Sequence, residues 1–142
     1  MSEPAYTPEH ESQYPPEYLR GIDLFNAGDY YECHEVLEDI WMISCGQEKL
    51  FYQGVIMAAV AFYDYDVSRF GAARTMYRKA KERLEQLPEK FMSLDVKKFI
   101  RELDEFFTFT VDEARAGQHR PAARPRIQLE KRVEEREGLA GI

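Results

Sequence analysis

From residue 18 onward, apolar side chains recur at intervals of three and four, the spacing that lines one face of an α-helix. Tyr18, Leu19, Ile22 and Phe25 make the first stripe, and Asn26-Ala27-Gly28 supplies its stop. A second helix follows through YYECHEVLEDIWMISC, with Asp29 as its N-cap, Glu32 as the capping-box partner and an end near Gly46. At about 100° per residue, Tyr30, Cys33, His34, Leu37, Ile40 and Trp41 share its broad inner face. Glu38 lies at the edge of that face, while Glu32, Glu35, Asp39 and Met42 point toward water.

A third segment, Lys49 to Tyr65, is apolar on nearly every side, as befits a helix covered on both flanks. Gly54, Ala58, Ala59 and Ala61 let its neighbours approach closely. A buried strand is the rival reading, but the segment is long for one. Ser68 caps a fourth helix from Phe70 to about Leu87, closed by Pro88, with Ala73, Met76, Tyr77, Ala80 and Leu84 inward. A fifth, from about Asp95, carries Val96, Phe99, Ile100, Leu103, Phe106, Phe107 and Val111 and fades near Gly117. The pattern therefore predicts an all-α protein, an antiparallel bundle of about five helices plus a short C-terminal helix. No internal repeat of solenoid type is present.

The two ends differ from the middle. Residues 1–16 hold four prolines and several acids, and predict an extended or disordered lead-in. The bundle domain spans 17–116. Residues 117–142 open with the basic, proline-containing GQHRPAARPR and continue into a short charged helix, LEKRVEER, expected to pack on the same domain.

Composition narrows the function classes. One domain suffices for 142 residues, and 44% hydrophobic with 32% charged residues describes a globular chain. The net charge of −7 argues against nucleic acid and against anionic membrane as partners. The longest apolar run, Val55 to Tyr63, is too short for a membrane span, and the N-terminus lacks the features of a signal peptide. Cys33 and Cys45 are too few for a disulfide framework and lack CxxC spacing. A cytoplasmic protein is the resulting expectation.

Candidate chemistry gathers in HEVLEDIW, residues 34–41. His34 and Glu38 are i, i+4 neighbours whose side chains can touch. The carboxylate can orient and stabilise the imidazolium, both groups can ligate one divalent metal, or they can satisfy each other within an apolar surface. Gln53, polar in an apolar helix, is placed to join them, with Tyr30, Tyr52 and Arg74 around the cluster. Two ligands make a poor metal site: the motif is HExxE, not HExxH, and Asp64 is the further oxygen donor on offer. His10 and His119 fall in segments expected to be mobile. No cofactor is predicted, and no P-loop, GxGxxG, GxSxG or CxxC is present. The leading reading is a binding or scaffold domain with a structural cluster of His34, Glu38 and Gln53. The alternative is a hydrolase-like enzyme, metal-dependent or not, with His34 as general base, Glu38 orienting it, Gln53 hydrogen-bonding the substrate, and Tyr30, Trp41 and Arg74 lining a ligand site. A homodimer or another protein is the partner class.

The run LFNAGDYYECHEVLEDIW, with KLFYQGVIMAAVAFYDYDVSRFGAARTMYRKAKERLEQLP after it, resembles the domain of unknown function family 309 over Tyr18 to Pro88. Its most specific features are Gly28, Tyr30 or Tyr31, Glu32, His34, Glu35, Glu38 and Trp41, then Gln53-Gly54. The resemblance implies an all-α antiparallel bundle with the His/Glu/Trp motif packed against the Gln-Gly helix, and it implies no known activity. Ser68 stands where the family often has Asn, and Tyr63-Asp64 where a histidine is often found, which weakens a multi-histidine metal site.

Overall fold

The structure is a computed structural model that describes residues 3–110 and 123–131. It is all-α apart from one small hairpin. Helices α2 (Pro16–Ala27), α3 (Tyr30–Met42), α4 (Gly46–Asp66) and α5 (Phe70–Leu84) form the bundle, and α6 (Val96–Glu105) follows the hairpin. Helix α4 is central: α3 covers one flank, α5 the other, and α2 packs on α3. Its apolar residues on every side thus find neighbours on most sides. Two glycines set the spacing. A Cβ on Gly54 would meet Leu84 Cγ at 2.7 Å, and one on Gly21 would meet Leu37 Cδ2 at 2.5 Å. Both sites therefore need the smallest side chain for close helix packing.

Helix ends follow the sequence signals in position more than in bonding. Gly28 adopts φ 84°, the left-handed stop that closes α2. Asp29 occupies the N-cap of α3, but its side chain accepts no capping bond. Asp95 does cap α6, its carboxylate accepting the Lys98 N–H at 2.9 Å. Ser68 is not the cap of α5. That position belongs to Arg69, while Ser68 sits at φ 64° in the turn before it.

Three features depart from the expected order. The hairpin pairs β1 (Lys90–Phe91) with β2 (Leu94–Asp95), antiparallel, and its two-residue turn places Met92 and Ser93 at positive φ. Phe106–Thr110 continue α6 as a π-helical turn instead of α-helix. The predicted extension through Val111 to Gly117 lies outside the described residues.

The lead-in needs correction. Residues 8–13 form helix α1 (Pro8–Gln13), with Pro8 in its first turn and His10 buried to 1%. The His10 Nδ1 accepts the Thr7 N–H at 2.9 Å, so the proton sits on Nε2, which donates to the Glu130 carbonyl at 2.8 Å. Tyr14 and Ser93 hydroxyls meet at 2.7 Å, and Tyr6 donates to Asp23 at 2.7 Å. Residues 123–131 run extended against this end of the molecule, so Leu129 to Lys131 do not begin a helix; the rest of LEKRVEER lies outside the described residues. Among the described residues, no helix is long and apolar enough to cross a membrane.

Candidate functional site

Tyr31, His34, Glu38 and Trp41 recur every three or four residues and line the side of α3 that borders α4. His34 Nε2 lies 3.4 Å from Glu38 Oε2, with the two side chains 26% and 51% exposed. The imidazole is thus at a rim rather than inside the bundle. Tyr31 leans on His34 (ring centroids 5.6 Å apart) and on Tyr63 of α4 (5.5 Å). At the other end of the row, the Lys49 ammonium sits 4.9 Å from the Trp41 ring centroid. Among the described residues, His34 Nδ1 and Trp41 Nε1 are buried atoms with no hydrogen-bond partner.

The remaining candidates do not converge on this pair. Gln53 lies half-buried on α4 and forms no hydrogen bond to His34 or Glu38 among the described residues. Tyr30 points into the core, stacked on Phe62 at 5.1 Å and edge-on to Phe25 at 5.3 Å. Burial raises its phenol above the ordinary value, opposed by the Arg124 guanidinium beside it. Tyr52 is buried against Tyr18, with centroids 5.9 Å apart. Asp64 is buried and paired with Arg69 at 3.5 Å, and Arg74 lies half-buried on α5. Among the described residues, no group of three or more His, Cys, Asp or Glu side chains is arranged to hold a metal ion. His34 and Glu38 therefore offer a two-donor rim.

Two clefts lie elsewhere. One, of about 600 Å³, is bounded by Lys90, Lys98, Glu102, Arg126 and Glu130. The other, of about 520 Å³, lies between α5 and α6 around Leu87, Val96 and Ile100.

Sequence reasoning gave no site role to Asn26, Asp66 and Arg124, and set His10 in a segment expected to be mobile, yet all four make specific contacts. Arg124 Nη1 and Nη2 grip the two Asp66 carboxylate oxygens at 3.1 and 2.6 Å. Its guanidinium also lies 5.5–5.8 Å from the ring centroids of Tyr30, Phe62, Tyr65 and Phe106. The usable signal was the alternation of Pro125, Ile127 and Leu129 with polar residues, which has the period of an extended segment and not of a helix.

An all-α bundle with an early His/Glu/Trp helix laid against a Gln-Gly helix defines the class of fold. Residues 18–76 match the family described as Domain of unknown function (DUF309), and the chain belongs to that family. It is similar to the conserved hypothetical protein TTHA0068 of Thermus thermophilus, whose crystal structure superposes with a TM-score of 0.59 at 36% identity, over 67% of this chain and 99% of that one. Two curated relatives are uncharacterized proteins. One, from Aquifex aeolicus, is 27% identical over 73 residues (51% of this chain, 22% of that protein). The other, YpuF of Bacillus subtilis, is 39% identical over 54 residues (37% of this chain, 31% of that protein). The matches thus span about a fifth and a third of those two proteins.

Proposed function

We propose that this protein is a binding domain whose α3–α4 face docks a basic amphipathic helix of a partner protein. The observation that carries this reading is a row of incompletely covered apolar residues beside an acidic rim. Ile56, Met57, Val60 and Tyr63 on α4 are only half-buried, although α4 is apolar enough to be covered all round, and Tyr31 beside them is 54% exposed. Between Tyr30 and Met42, α3 carries Glu32, Glu35, Glu38 and Asp39 and no Lys or Arg. Helix-in-groove recognition uses apolar anchors at i, i+3, i+4 and i+7, with charge at the rim choosing the partner. In this reading His34 and Glu38 are rim groups, and Trp41 and Tyr31 are the aromatic anchors that such surfaces favour.

Labelled helical peptides test it. A Leu/Lys amphipathic peptide should bind, and Val60→Asp or Glu38→Lys should each weaken it by about tenfold. A Leu/Glu peptide of the same apolar pattern should not bind. Equal binding of both peptides, or no effect of Val60→Asp, would overturn the reading.

The alternative, a hydrolase-like site with His34 as base, draws less support. Neither cleft is lined by His34, Glu38 or Gln53, and general-base catalysis needs a substrate held within hydrogen-bond reach of the base.

A further inference from the structure

Residues 124–130 lie outside every helix and strand of the fold, yet they are held the way a bound peptide is held. Pro125, Ile127 and Leu129 are buried, while Arg126 between them is exposed and Gln128 half-buried. This is the period-two pattern of an extended chain reading alternate pockets. The Asn26 side-chain amide clamps both backbone groups of Ile127: its Nδ2 donates to the carbonyl, and its Oδ1 accepts the N–H, each at 2.8 Å. Leu129 N–H donates to the Ala5 carbonyl at 2.8 Å and Glu130 N–H to the Ser93 carbonyl at 2.7 Å. The His10 Nε2–H closes the far end on the Glu130 carbonyl. At the near end, Asp66 and four aromatic rings make a socket for the Arg124 guanidinium.

Backbone clamps, apolar pockets at alternate positions and a socket for one charged side chain are the parts of an extended-peptide reader. The clamps are sequence-blind; the pockets and the socket select Arg-Pro-x-Ile-x-Leu. We propose that this channel is a linear-peptide site, filled in cis by residues 124–130, and that it takes the same segment of a second copy of the chain by exchange. The chain's own segment has the pattern the channel reads. Twelve residues separate Thr110 from Ala123, and a stretch of that length spans at most about 40 Å. Effective concentrations on the millimolar scale favour the cis segment at ordinary protein concentration. Exchange therefore shows when the cis contact is weakened.

The test uses two full-length variants. Ile127→Asp spoils the occupant and leaves the channel intact, whereas Asn26→Ala spoils the clamp and leaves the occupant intact. A labelled peptide of residues 122–131 should bind the Ile127→Asp chain saturably, and at least about tenfold more tightly than it binds the wild type, whose own segment competes. A scrambled peptide should not bind. Mixed together, the two variants should form a heterodimer by light scattering, since one supplies a sound channel and the other a sound segment. Failure of the Ile127→Asp chain to bind the peptide would overturn the site. Variants that bind the peptide yet stay monomeric when mixed would overturn exchange with a second copy. Should Ile127→Asp lose its helical circular dichroism, Arg124→Ala takes its place in both arms.

Discussion

A separation of 3.4 Å between His34 Nε2 and Glu38 Oε2, with both side chains partly in solvent, limits what the pair contributes. Exposed i, i+4 pairs are worth about 0.3–0.5 kcal/mol. Because His34 Nδ1 has no partner among the described residues, removing the ring orphans no buried group there. His34→Ala is therefore expected to cost less than about 1 kcal/mol in urea unfolding, since alanine's better helix propensity offsets part of the loss. A cost of about 3 kcal/mol would instead mark the imidazole as a strut between α3 and α4. The helical phase set His34 on the broad inner face of its helix, whereas the structure leaves the ring at the rim of that face, 26% exposed. It could not show that Gln53 stays out of bonding range, because periodicity gives directions and not distances. It also missed that His10 is deeply buried. The local cue was Thr7-Pro8 ahead of it, a helix start within a segment whose prolines suggested no structure at all.

At the scale of elements, α2, α3 and α5 were legible because each carries a 3.6-residue apolar stripe, and α4 because a segment that long and apolar on nearly every side is a covered helix and not a strand. The hairpin was not. Its strands have two residues each, and its turn is Met92-Ser93, which lacks the Asn-Gly signal for two consecutive positive φ angles. Ser68 shows how a cap assignment misleads. Serine before a helix reads as an N-cap, yet here the residue stands one position early, at φ 64°. A left-handed conformation costs a residue with a Cβ about 1 kcal/mol, and glycine adopts it without that penalty. Ser68→Gly is accordingly expected to leave stability unchanged or raise it by up to about 1 kcal/mol, read as a higher melting temperature. A clear fall would show that the hydroxyl caps α5 after all. Asn, which tolerates this region, suits the same position for its backbone rather than as a cap.

At the scale of the whole molecule, residues 124–130 fold back onto the lead-in and the bundle, and sequence alone hid this because the contacts are remote: Asn26 to Ile127, His10 to Glu130, Asp66 to Arg124. The core holds several ionisable groups kept neutral, and that sets how stability responds to alkali. Burial pushes the Cys33 thiol from 9.0 up to about 12. Burial raises Tyr18 and Tyr52 well above 10.0, and raises Tyr30 against the lowering pull of Arg124. In each case the folded state holds its proton more tightly than the unfolded chain, which releases it near pH 9 or 10. The stability these groups supply is therefore complete below about pH 9 and is lost as pH rises from there toward the folded values, by up to about 1.4 kcal/mol per pH unit for each group. The urea midpoint should stay nearly level from about pH 8 to 9 and fall steeply above pH 10, with phenolate absorbance from the buried tyrosines appearing only as the protein unfolds. In the same window a thiol reagent should label exposed Cys45 in the native protein and reach Cys33 only on unfolding. A midpoint that held constant to about pH 11 would mean that water reaches these hydroxyls, and that the aromatic core is far less sealed than its packing shows.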